Sequence, residues 1–131
     1  MVKVLAESPN YKVYSVYDNA YLKHKAHSIT LDAFEEKDVY ISWNYSDPTS
    51  ALITHSEEHV VLSGCGIMLF DTTSRLTTHL LAELDSIVWT NALHQAESDD
   101  ALEFRYVAYA TKNRLRVFKM HVLTHAITLL D

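Results

Sequence analysis

Apolar and polar positions alternate most regularly between Val39 and Phe70, where VYISWNYSDPTSALITHSEEHVVLSGCGIMLF divides into three extended runs and two turns. Val39, Ile41, Trp43 and Tyr45 share one face of a period-two run, with Tyr40, Ser42 and Asn44 opposite. Ser46-Asp47-Pro48-Thr49 reads as a turn, with Pro48 suited to the second position of a type I geometry. Ala51 to Thr54 returns, and Ser56-Glu57-Glu58 turns again. Val60 to Phe70 is apolar on both faces, the pattern of a central strand covered on both sides. Gly64 and Gly66 inside that run point to a bulge or to close approach by another element.

The flanking segments extend this β pattern. Tyr11 to Tyr17 alternates, Asp18-Asn19 offers a turn, and Tyr21 to Leu31 forms a second strand whose Lys and His content suits an edge. Val2 to Leu5 is a further short strand or a ragged start, and Asp32 to Asp38 is an acidic loop or a single helical turn. Asp71 to Asp85 is the helix candidate: Thr72, Thr73 or Ser74 supplies a cap, and Leu76, Leu80, Leu81 and Leu84 recur at helical spacing. Ser86 to His94 and Leu102 to Ala110 read as strands. Thr111-Lys112-Asn113 is a tight turn, and Arg114 to Leu130 is an extended run broken near His121. No internal repeat stands out. The expected fold is α+β but mostly β. It is a twisted antiparallel sheet or partly open barrel of about seven to nine strands, with one helix near 72–84 covering a face.

Composition sharpens this. A chain of 131 residues, 48% apolar and 21% charged, is expected to form a single domain, 1–131, with one core. Glycine and proline number two each, so the turns must come from Asn, Asp, Ser and Thr, which close them by side-chain bonds to the backbone. Eight tyrosines suit a pleated, half-buried surface. The single cysteine, Cys65, precludes an intramolecular disulfide and fits a reducing compartment. The opening MVKVLAESPNYKVYSV lacks the apolar core of a signal peptide, and no segment approaches the roughly 18 apolar residues of a membrane span. A cytoplasmic location without membrane association is the expectation. Net charge is −6, from 17 acidic and 11 basic residues. That argues against nucleic acid as the main partner and is compatible with a cationic protein.

Motifs for chemistry are weak. His55-Ser56-Glu57-Glu58-His59 matches H-x-x-E-H, a zinc-peptidase pattern that needs a helix to aim both histidines at one metal. Here it falls on a turn between strands. His121 and His125, four apart on a straight strand, would lie about 13 Å apart along the chain, too far to share a metal. Cys65 sits in the most apolar run, where a thiol behaves as a small hydrophobe. Trp43 and Trp89 fit core packing better than an interface. No catalytic residue, metal or cofactor is expected. What remains is acidic: Asp32, Glu35, Glu36 and Asp38; Glu57 and Glu58; and Glu97, Asp99, Asp100 and Glu103. As a partner-binding surface these nominate Glu35, Glu36, Asp38, Glu57, Glu58, Glu97, Asp99 and Asp100, joined by Tyr45 and Asp47 at the Ser46–Thr49 turn.

A small, acidic, β-rich chain with one helix and no catalytic signature resembles the immunity proteins of bacterial contact-dependent inhibition and polymorphic toxin systems. The resemblance is one of general character, with ISWNYSDPTSALI and RLRVFKMHVLTHAITLL as its nearest local echoes. It implies a non-enzymatic antitoxin, a monomer by preference, that covers the active site or an exosite of a cognate cationic toxin such as a nuclease. Two other readings stay open: a non-catalytic protein-binding or scaffold module of a bacterial assembly, and a small His-dependent metalloenzyme.

Overall fold

The computed structural model describes residues 2–43, 48–81, 88–109 and 115–130, and the side chains of all of these except Ser42 and Trp43. Twelve strands are present among them, grouped into three four-stranded antiparallel sheets that each run in simple chain order. Sheet 1 contains β1 (Val2–Glu7), β2 (Tyr11–Val16), β3 (Asn19–His24) and β4 (Val39–Trp43). Sheet 2 contains β5 (Ser50–Ile53), β6 (His59–Gly64), β7 (Gly66–Asp71) and β8 (Thr77–Leu80). Sheet 3 contains β9 (Thr90–His94), β10 (Glu103–Tyr109), β11 (Leu115–His121) and β12 (Ile127–Leu129).

The mostly-β, antiparallel expectation holds, but the single sheet or open barrel is replaced by three separate sheets, none of them closed. Each sheet is a meander, so the chain does contain a structural repeat. The repeat lies in strand order and turn geometry, and side-chain identity hides it.

Sheet 2 is the middle layer. Val60, Leu62, Met68 and Phe70 meet Val13, Ala20, Leu22 and Ile41 of sheet 1, while Val61, Ile67 and Leu69 meet Phe104, Tyr106, Ala108 and Met120 of sheet 3. Alternate side chains of β6 and β7 thus enter opposite cores, which explains why every residue from His59 to Phe70 is buried. Each fully buried Val, Leu or Phe contributes roughly 1.5–3 kcal/mol relative to exposure, so the sandwich is held chiefly by sheet 2. The first strands are neighbours: β5 lies against both β1 and β9. Consecutive meanders therefore pack face to face, with their first strands side by side.

Three local expectations are corrected. Val60 to Phe70 is not one strand: the chain reverses at Cys65, and Gly64 pairs with Gly66. Positive φ at both glycines (137° and 77°) permits this tight return, which a turn-residue search misses because no polar residue marks it. The helix expected near 72–84 is not formed at its start. Asp71 bonds the N–H groups of Thr73 and Ser74 as a helix cap would, but Arg75 takes φ 61° and the chain turns back. Thr77–Leu80 then pairs with Ile67–Phe70, as suits threonines stiff at χ1. Residues 82–87, the rest of that segment and the start of the expected 86–94 strand, lie outside the described residues, as do the turn residues Ser46-Asp47 and Thr111–Asn113. The β2–β3 turn sits one position earlier than expected, on Tyr17-Asp18, with Tyr17 at φ 56°. The break near His121 is present, between β11 and β12.

The outermost sheets end differently. The outer face of sheet 1, carrying Lys12, Tyr14, Tyr21 and Lys23, lies under residues 25–38, which begin with a 3-10 turn at Lys25–His27. Lys12 Nζ donates to the Leu31 carbonyl at 2.6 Å, and Phe34 packs edge-on against Tyr21. Lys23, wholly buried, sits 2.9 Å from both Glu35 and Asp38. The outer face of sheet 3 has no such strap among the described residues.

Candidate protein-docking face

Pairing of β10 with β11 fixes what sheet 3 presents outward. Phe104, Tyr106, Ala108 and Met120 point into the core against sheet 2. Alternation sends Arg105, Val107 and Tyr109 the other way, opposite Lys119, Val117 and Leu115 respectively. The face is therefore divided. Near the β9–β10 connection it is charged: Arg105 grips Asp99 through Nε and Nη2, the closest approach being 2.8 Å, and Lys119 lies 3.7 Å from Glu103. The hydrogen bonds from Arg105 hold the Asp99 carboxyl below its ordinary range against an opposing desolvation. Toward the β10–β11 turn the face is apolar. Trp89, Val107, Tyr109 and Leu115 line a shallow groove of about 340 Å³, and Trp89, Tyr109 and Leu115 are each at least half exposed.

The repeat gives this face its meaning. The β7–β8 turn and the β11–β12 turn are the same structure, with Arg75 and His125 in matching left-handed conformations of φ 61° and 63°. Aligning the turns puts Val117 where sheet 2 has Ile67. Ile67 is fully buried beneath sheet 3, whereas Val117 is only half-buried.

The acidic candidates are distributed otherwise than a single patch requires. Glu35 and Asp38 belong to the strap over sheet 1 and bond Lys23, and Glu36 in the same strap is exposed. Glu57, at the tip of the β5–β6 hairpin with φ 62°, accepts from Ser8 Oγ and from the backbone and side chain of Asn10. These bonds, that from Ser8 foremost, hold its carboxyl below the usual range. Glu58 beside it is exposed. Asp99 is held by Arg105, Asp100 accepts from the Leu102 N–H, and Glu97 is exposed. Buried Gln95 accepts from the His55 N–H at 2.8 Å and donates to the Ala101 and Glu103 carbonyls. Gln95 and Glu57 therefore bring the β1–β2, β5–β6 and β9–β10 connections, and two of the acidic clusters, to one end of the sheets. Tyr45 and Asp47 lie outside the described residues.

The H-x-x-E-H segment is the β5–β6 hairpin turn, closed by the Thr54 N–H on the His59 carbonyl at 3.0 Å. Trp89, expected in the core, is instead half exposed on the groove. The apolar face left no clear sign in the sequence because Val107, Tyr109, Leu115 and Val117 share their parity with Glu103, Arg105 and Lys119, the pattern of an ordinary wet face. Compared with protein-family models, curated proteins and solved structures, the chain matches none. Among the described residues no helix is long and apolar enough to cross a membrane.

Proposed function

We propose that the chain is a non-catalytic protein-binding module that receives another β-sheet on the outer face of sheet 3. One observation carries this reading: Val107 and Val117 are only half-buried and are flanked by exposed Trp89, Tyr109 and Leu115, whereas Ile67, at the matching position of sheet 2, is wholly buried under the next sheet. Contiguous apolar surface of this kind marks interaction sites in soluble proteins. The occupant is a sheet with an apolar face of its own, and in pure protein the available one is sheet 3 of a second copy. Sedimentation over a concentration series should show reversible self-association that Val107→Asp and Leu115→Asp abolish while leaving circular dichroism unchanged. A wild type that stays monomeric at about millimolar concentration, where contacts worth roughly 4 kcal/mol are half formed, overturns the reading.

A second reading, antitoxin binding to a cationic toxin, is favoured by the acidic turns gathered at one end of the sheets. Exposed Glu58, Glu97 and Asp100 would steer encounter and leave the internally bonded Glu57 and Asp99 as scaffold. Reversal of those three exposed carboxylates to lysine should slow association with such a toxin at low salt, and an unchanged on-rate would remove this end from consideration.

A further inference from the structure

A second concavity lies where the strap and sheet 1 meet sheet 2, far in character from the apolar groove. Tyr11, His24, His27, Lys37 and Arg75 line it above a floor that includes Phe70, and it encloses about 240 Å³. We propose that this cleft binds a phosphoryl dianion, carried on a small molecule or on a peptide.

The charge arrangement supports this against the grain of the whole chain. Lys12, Lys23, Lys25, Arg105 and Lys119 each have an acidic partner. Lys37 and Arg75 line the cleft with no acidic side chain at ion-pair distance among the described residues. Among the described residues the cleft has one acidic lining residue, Asp38, and its carboxylate is already engaged by Lys23 Nζ, the Tyr14 hydroxyl and the Glu35 N–H. Glu57, near His24, is bonded by Ser8 and Asn10. A net −6 protein therefore keeps two cations around one hollow without a close ion pair among the described residues, although the charge of Lys37 is felt by Glu35.

The neutral groups fit the same ligand. His24 is in the wall of the cleft, and its Nδ1 is buried without a hydrogen-bond partner. The His24 and His27 rings stack 4.2 Å apart, and Tyr11 meets His24 edge-on at 4.9 Å, which makes a fixed wall of nitrogen and hydroxyl groups. Thr72 lines the rim, but its hydroxyl already donates to the Glu57 and Glu58 carbonyls, so it serves the wall and not the ligand. A guanidinium fork and an ammonium together answer an anion with two charges and three oxygens, whereas a carboxylate would need Arg75 alone.

The test uses phenyl phosphate, a phosphoserine peptide and acetate as probes in calorimetric titrations of the whole chain. Arg75→Gly deletes the cation at a position whose φ of 61° glycine adopts freely, and Lys37→Ala changes an exposed residue, so both variants should keep the wild-type melting curve. Expected is binding of at least one phosphorylated probe, weaker binding of acetate, and a loss of about tenfold or more in each variant, the effect of removing a charge-assisted contact. Tighter binding of phenyl phosphate assigns the site to small molecules, and tighter binding of the peptide assigns it to a phosphorylated chain. Absence of binding by both phosphorylated probes at about 5 mM, or variants that bind as the wild type does, overturns the proposal.

Discussion

Asp71 and His121 perform one task in two different sheets. Asp71 Oδ1 accepts the N–H groups of Thr73 and Ser74 at 2.8 and 2.9 Å, and His121 Nδ1 accepts those of Leu123 and Thr124 at 3.1 and 3.2 Å. In each turn the residue four positions on, Arg75 or His125, is left-handed and returns its N–H to the Asp71 or His121 carbonyl. An ionised carboxylate accepts through either oxygen, but an imidazole accepts only through an unprotonated nitrogen. His121→Asp should therefore preserve or stabilise the β11–β12 turn, while His121→Ala should cost about 1 kcal/mol through loss of the acceptor. Urea denaturation of the two variants against the wild type checks both signs.

The Asp71 turn predicts a pH dependence. The Ser74 N–H, followed by that of Thr73 and the nearby His59, holds the Asp71 carboxyl below its ordinary 3.8 despite opposing desolvation. A carboxyl depressed in the folded state contributes stability that is fully present above its unfolded value and is lost as pH falls through the folded value. The stability gap between wild type and Asp71→Asn should be present at about pH 5 and should close below about 4. Thermal melts across that range measure it, and a gap that persists unchanged at pH 2 would contradict the assignment.

How legible the fold was depended on where its signals sat. Period-two runs at Val39–Tyr45 and Tyr11–Tyr17 identified strands because alternation is a local property of the residues that carry it, and the strand expected over Leu102–Ala110 contains β10. Division into three sheets was not legible, since it depends on which strands pair, and the decisive turn at Gly64-Cys65-Gly66 lacks every polar turn residue. The segment after Asp71 misled for a physical reason: a side chain that caps two N–H groups begins a helix and a left-handed turn in the same way, and only Arg75 decides between them. For the sites, acidic residues advertised themselves by composition, but half of their story lay in partners such as Arg105 and Lys23 that sequence does not bring near. The apolar groove left no sequence signal at all, because covered and uncovered aliphatic positions are spelled alike.

Cys65 offers a probe of the middle sheet. It is 2% exposed at the apex between β6 and β7, its backbone bridges to Trp89, and burial pushes its thiol above the ordinary value. A thiolate is the reactive species, so both access and ionisation protect it. The native protein at pH 8 should resist a thiol reagent for as long as it stays folded, and labelling in graded urea should follow the global unfolding curve. Rapid labelling of native protein would show that the hairpin apex opens independently of the sheets on either side.

The strap over sheet 1 rests on a buried charge cluster. Lys23 is fully buried and Asp38 nearly so, and Asp38 also accepts from the Tyr14 hydroxyl and the Glu35 N–H. Desolvation works against the charged lysine, but the hydrogen bonds it donates to Asp38 and Glu35 outweigh it and leave its pKa raised. Lys23→Met should destabilise by about 3–5 kcal/mol, because it leaves the Asp38 carboxylate buried without its cation. Adding Asp38→Asn removes the stranded charge yet keeps an acceptor for Tyr14 and Glu35, so the double variant should be more stable than Lys23→Met alone. A strictly additive pair, each substitution costing the same in either background, would show that Lys23 and Asp38 do not depend on one another. Chemical denaturation of the four proteins in the cycle decides it, and hydrogen exchange at Ile29 and Glu35, whose N–H groups bond Glu35 and Asp38 carboxylates, should report loosening of the strap in Lys23→Met first.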